Sequence, residues 1–187
     1  MHRVLFLTVS AVLATTAMAA MGAPPQAPVA SPKKFVTLDT KSYTLESPDG
    51  WVVSEETPFG QREMHPKEDA RGEKNGAMSA MTGAGLGKQE WEQLYRTSLY
   101  FTTRSFPPAK YDAKPFTLLK TRKGYDACTW TIEEKSTKRV AARYVILKST
   151  TGNILALSVK VPASAEKAKK KVLDAQFQHL VDTAVVK

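Results

Sequence analysis

Between Tyr125 and Val161 lie three runs whose apolar side chains recur at every second position, and no other feature narrows the possible folds so far. The runs are Tyr125 to Glu133, Arg139 to Lys148 and Asn153 to Val161. A period of two is what a strand with a buried face requires, because successive side chains point to opposite sides of a sheet. Cys128, Trp130 and Ile132 share one face of the first run, and Ala142, Tyr144 and Ile146 share one face of the second. Leu155, Leu157, Val159 and Val161 share one face of the third. The gap Glu134-Lys135-Ser136-Thr137-Lys138 is short and charged, while Ser149-Thr150-Thr151-Gly152 ends in a glycine suited to positive φ. Gaps this short join antiparallel neighbours, so the segment predicts a meander.

The same signals extend upstream. Phe116 to Thr121 reads as a strand turned into the meander by Arg122-Lys123-Gly124, and Ala77 to Thr82 as a strand of small and soft residues. Tyr43-Thr44-Leu45-Glu46 alternates and runs into Ser47-Pro48-Asp49-Gly50, a turn with proline second and glycine fourth, after which Trp51-Val52-Val53 returns as a strand. Thr57 to His65 is a weaker third strand, and Pro66 to Gly76 is a charged loop expected to be the most exposed part of the domain. Lys88 to Arg104 places Trp91, Leu94, Tyr95, Ser98 and Leu99 on one helical stripe that Phe106-Pro107-Pro108 brings to an end. A last helix is expected with Ser164 as its cap, Glu166 in its first turn and Leu173, Phe177, Leu180, Val181 and Ala184 on its buried side. Two amphipathic helices covering a mostly antiparallel central sheet define an α+β fold of α/β/α layering.

The chain of 187 residues opens with His2 and Arg3, an apolar run from Val4 to Leu13, and Ala17-Met18-Ala19 as an A-x-A site. This is the pattern of a secretory signal over residues 1–19, since the apolar part falls short of the ~20 residues that span a bilayer. Residues 20–34, with Pro24, Pro25, Pro28 and Pro32, read as an extended linker, and 35–187 as a single domain. The expected address is therefore export, to the periplasm or beyond, with no transmembrane segment after processing. A formal net charge of +9 favours anionic partners without choosing among them. With Cys128 as the only cysteine, no intrachain disulfide is available and stability must come from the core.

No residue pattern announces a reaction. Gly83, Gly85 and Gly87 match neither a dinucleotide fingerprint nor a Walker A loop, and no cofactor is expected. Cys128, in mid-strand beside Trp130, reads as an inert core residue. Glu63, His65, Glu68, Asp69 and Glu73 lack regular ligand spacing and are interleaved with Lys67, Arg71 and Lys74, so no metal site is expected. His65 and His179 have no partner at ligand spacing. Arg122, Lys123, Lys135, Lys138, Arg139 and Arg143 form a candidate basic surface for an anionic lipid or polyanion. Specific nucleic-acid binding is disfavoured by the export signal.

The opening Tyr43-Thr44-Leu45-Glu46-Ser47-Pro48-Asp49-Gly50-Trp51, the four closing strands, and Val159-Lys160-Val161-Pro162-Ala163-Ser164 before the last helix resemble the PsbP-like superfamily. That superfamily includes the extrinsic luminal protein of photosystem II, Ran-binding members and many exported bacterial proteins. The resemblance spans about Phe35 to Val186 and implies an antiparallel sheet between helices, with binding or assembly roles more often than catalysis. The resulting expectation is an exported, non-enzymatic accessory protein that associates with an envelope protein or anionic surface. The alternative is a small-ligand carrier or enzyme using a cleft between helix 88–104 and the sheet, near Trp91, Tyr95 and Trp130.

Overall fold

The computed structural model describes residues 35–58, 60–69 and 72–187. The expected signal sequence and linker lie outside the described residues. In chain order the elements begin with β1 (Phe35–Asp39), β2 (Tyr43–Pro48), β3 (Trp51–Val53), β4 (Gln61–Pro66) and β5 (Ala77–Gly83). A short 3-10 turn at Leu86–Lys88 leads into α1 (Trp91–Thr102). The chain continues as β6 (Tyr111–Ala113), β7 (Thr117–Lys120), β8 (Asp126–Glu134), β9 (Val140–Lys148), β10 (Ile154–Lys160), α2 (Lys167–Thr183) and β11 (Val185–Val186).

Among the described residues the strands form two sheets. The larger runs β3-β4-β5-β10-β9-β8-β6, with β7 also on β8, and the smaller runs β1-β2-β11. Every pairing is antiparallel. The meander β8-β9-β10 forms as its alternation requires, and its faces divide cleanly. Cys128, Trp130, Ile132, Ala142, Tyr144 and Ile146 look toward α1, while Leu155, Leu157 and Val159 look toward α2. The two helices therefore cover opposite faces of the large sheet.

On the α2 face, Leu173, Phe177, Leu180 and Val181 pack with the large sheet and with Tyr43, Leu45 and Val186 of the small one. Each such side chain contributes roughly 1.5–3 kcal/mol over leaving it in water. His179 adds a polar tie, with Nε2 donating to Glu46 Oε2 at 2.6 Å and its ring stacked on Phe35 at 3.6 Å. The small sheet is thereby held to α2 along its whole width.

Four local expectations are corrected. The Ser47-to-Gly50 turn does not fold Trp51 back on its own strand: with Gly50 at φ 80°, the chain leaves the small sheet and β3 pairs with β4 of the large one. The reason is burial, since Tyr43 and Leu45 are needed against α2. The loop after β4 is not uniformly exposed, because Asp69 is only 8% exposed and its carboxylate accepts the backbone N–H groups of Glu73, Lys74 and Asn75. Ser164 does not cap α2; Glu166, with extended backbone, precedes its first residue and makes no side-chain cap bond. Finally, β1, β6 and β11 are strands that the alternation was too short to reveal.

Candidate functional site: a groove beside α1

Helix α1 is fastened over one half of its sheet face. Its stripe of Trp91, Leu94, Tyr95 and Leu99 packs on residues of β8 and β9, with Leu94 buried. Tyr95 Oη donates to the Lys114 carbonyl at 2.9 Å, and its ring meets Trp130 edge-on at 5.4 Å and Phe116 at 5.3 Å. Lys148 Nζ donates to the Gln89 carbonyl at 2.5 Å and lies 3.9 Å from the centre of the Trp91 ring. Before the helix, Gly87 N–H donates to the Gly152 carbonyl, and a Cβ at Gly87 would meet the Gly152 carbonyl carbon at 2.7 Å. The backbone there packs directly on the β9–β10 turn, which only glycine permits. These contacts bury Ile154 at the start of β10 but leave the rest of β10, with β5 and β4, uncovered on that face.

The uncovered half is the floor of a groove of about 500 Å³, with the other flank of α1 as its wall. That volume lies within the roughly 300–1,000 Å³ of typical ligand sites. Strand register sets the floor in rows. Trp130 stands opposite Tyr144, Tyr144 opposite Ser158, Ser158 opposite Ser79, and Ser79 opposite Glu63. At ~4.8 Å per strand this row is about 19 Å long. Alongside it runs an apolar row in which Ile146 faces Ala156, Ala156 faces Met81 and Met81 faces Gln61. Leu94, Ser98 and Phe101 of α1 and Leu86 complete the wall. Phe101, 66% exposed at the rim, meets the ring of Tyr100 edge-on at 5.6 Å.

The polar row has an internal order. Trp130 and Tyr144 stack at 5.1 Å with planes 6° apart. The Ser79 and Ser158 hydroxyls share a hydrogen bond at 2.7 Å. Tyr144 Oη has no hydrogen-bond partner among the described residues, and burial pushes its pKa up to about 12. It therefore remains a neutral hydroxyl, able to donate. Trp130 is 3% exposed and its Nε1–H has no acceptor among the described residues. The groove thus offers hydroxyl chemistry without a charge at its centre, with Glu63 and Lys160 at exposed margins.

Of the three residues expected at the cleft, Trp130 lines the groove, whereas Trp91 and Tyr95 are the pins that hold α1 on its far side. Ser79, Ser158, Met81 and Phe101 were not singled out in the sequence, and Glu63 was weighed there only as a metal ligand. Their juxtaposition depends on β5 pairing with β10 across a separation of 79 residues, as between Ser79 and Ser158. The local signal was a serine set within a mainly apolar stretch of each of the two strands.

The six basic residues do not form one surface. Arg122 and Lys123 occupy the turn before β8, and Lys135, Lys138 and Arg139 the turn after it, so the length of β8 separates them by roughly 26 Å. Arg122 pairs with Asp182 at 3.3 Å, Lys135 with Asp112 at 3.4 Å, and Arg139 with Glu134 at 3.1 Å. Arg143 lies on the opposite face from the groove, over the Phe177 ring at 5.7 Å and donating to Gln178 Oε1. Alternate turns of a meander project from opposite ends, which is why charges close in sequence separate in space.

Cys128 is fully buried and its thiol pKa is pushed up to about 11 by that burial, so little thiolate is present near neutrality. Among the described residues, no three of His, Cys, Asp and Glu gather as metal ligands. Asp69 has committed both carboxylate oxygens to its own loop, and His65 Nδ1 lies 2.9 Å from the Pro66 carbonyl.

No protein-family model matches the chain, and no curated protein matches it. Among solved structures, the solution structure of cyanobacterial PsbP from Synechocystis superposes with a TM-score of 0.55. The match covers 89% of this chain and 99% of that one at 10% sequence identity. A crystal structure of a Pseudomonas aeruginosa protein of unknown function covers 79% of this chain and 96% of its own, at 12% identity and a TM-score of 0.41. At such identities the cyanobacterial likeness concerns the fold alone.

Proposed function

We propose, proceeding from a PsbP-like fold, that this chain is an exported, non-enzymatic binding protein of accessory type whose recognition surface is the groove beside α1. The groove carries the reading: α1 is pinned over β8 and β9, and half of a sheet face is left open with an exposed phenylalanine at its rim. Support for export comes from the leader-like residues 1–19. The anionic-surface alternative has less support, because the basic turns stand at opposite ends of β8 and three of the six basic side chains are engaged by carboxylates.

The test is comparative capture from envelope extract, with retained proteins, lipids and small molecules quantified. Phe101→Ser and Met81→Trp, both at exposed positions, are expected to abolish the capture seen with the unmodified protein without lowering its melting temperature. Neutralising Lys123, Lys135 and Lys138 to alanine is expected to leave capture intact in moderate salt. Loss of capture on neutralisation, with the groove variants behaving normally, would transfer the function to the turns.

A further inference from the structure

Resting on the groove as the recognition surface, we infer that its occupant is an uncharged, amphipathic small molecule with an apolar body and a carbonyl or hydroxyl oxygen. The lining dictates this class. The accessible apolar lining, Ala156 and Met81 on the floor with Leu86 and Phe101 on the wall, accepts a ring or chain, with Ile146 and Leu94 closing the groove's buried end. The adjacent row supplies an unpartnered Tyr144 hydroxyl and the Ser79–Ser158 pair at 2.7 Å. The pair forms a bond between the two serines, leaving lone pairs and a rotatable proton for a ligand oxygen.

Charge decides against ions. A charged group lowered onto the floor would lose water without gaining a counter-charge, since the charged lining residues among those described, Glu63 and Lys160, are exposed at the margins. The Tyr144 hydroxyl is a donor at every physiological pH, which matches a carbonyl oxygen or a hydroxyl lone pair. The Trp130–Tyr144 stack, 5.1 Å between centroids, fixes the phenol ring so that its hydroxyl keeps one position. A volume of about 500 Å³ suits a molecule the size of a two- or three-ring compound with a short chain.

The probe is 6-propionyl-2-dimethylaminonaphthalene, which is neutral, apolar and carries one carbonyl, and whose emission reports its surroundings. Titrated into the folded domain, it is expected to show a blue-shifted emission that saturates at one equivalent. Tyr144→Phe should weaken it about fivefold, the factor that one neutral hydrogen bond of ~1 kcal/mol represents. N-phenyl-1-naphthylamine, which has no oxygen, should bind the same site with affinity unchanged by Tyr144→Phe. Met81→Trp should abolish binding of both probes. The anionic 1-anilinonaphthalene-8-sulfonate should bind at least tenfold more weakly than the neutral ketone.

Equal or tighter binding of the anionic dye would overturn the uncharged class. No saturable binding of either neutral probe, with capture from extract still lost in Phe101→Ser, would overturn the small-molecule occupant and leave the groove as a protein-binding surface. Probe binding untouched by Met81→Trp, together with unchanged capture by both groove variants, would overturn the groove itself.

Discussion

Replacing Phe177 with alanine is expected to cost about 4 kcal/mol, the range for removing a fully enclosed phenyl ring and leaving a cavity that cannot collapse. Phe177 is 0% exposed at the centre of the α2 stripe. Leu157 and Val159 of the large sheet and Tyr43 and Leu45 of the small one belong to the same core. Removing the ring therefore loosens both sheets from one helix. Arg143, 5.7 Å above the ring, would lose its cation–π contact as well. Denaturant unfolding followed by circular dichroism should show the midpoint falling with an unchanged slope. A loss below ~1 kcal/mol would mean that α2 is not the common anchor of the two sheets.

The second large effect is expected at Asp69. Its side chain accepts backbone N–H groups at 3.1 Å from Glu73, 2.9 Å from Lys74 and 2.7 Å from Asn75, closing the loop between β4 and β5 around itself. Asp69→Ala should destabilise by about 2–3 kcal/mol, because charge-assisted bonds disappear and their donors are left poorly satisfied. Burial alone would raise the carboxyl pKa, but the three N–H bonds and the nearby Lys74 ammonium outweigh it and hold it below its ordinary value of 3.8. A carboxyl depressed in the folded state contributes its full stability above that ordinary value. The contribution is lost as the pH falls through the folded-state value. Asp69→Asn should therefore be less stable at neutral pH and lose less on acidification below pH 3.8. Parallel losses in the two proteins would show that the carboxylate does not organise the loop.

The order of the longer elements was legible in the sequence because it rests on local rules, whereas the short β1, β6 and β11 were not. The meander follows from alternation and short turns, α1 from a stripe ended by Pro107 and Pro108, and α2 from Leu173, Phe177 and Leu180 at helical spacing. Non-local competition decided what was missed. Ser47-Pro48-Asp49-Gly50 has hairpin chemistry, yet burial of Tyr43 and Leu45 against α2 sends the next strand to another sheet. The charged loop read as exposed because six ionisable residues crowd it, and one of them, Asp69, turned inward to satisfy the backbone. The groove was half legible. Alternation placed Trp130 and Tyr144 each on the patterned face of its own run, but the register that joins them and the half of the sheet that the helix covers follow from no local rule. That choice is made by Tyr95 reaching Lys114 and Lys148 reaching Gln89, contacts that span 19 and 59 residues of sequence.

The most direct test of the groove as recognition surface is photo-crosslinking in cells from single p-benzoylphenylalanine substitutions. Position 101 is at the groove rim, while positions 36 and 118 are comparably exposed apolar sites, 55% and 61%, away from it. A discrete adduct is expected from position 101 alone, its added mass read by mass spectrometry. Adducts from Val36 or Leu118 with none from Phe101 would contradict the groove as recognition surface.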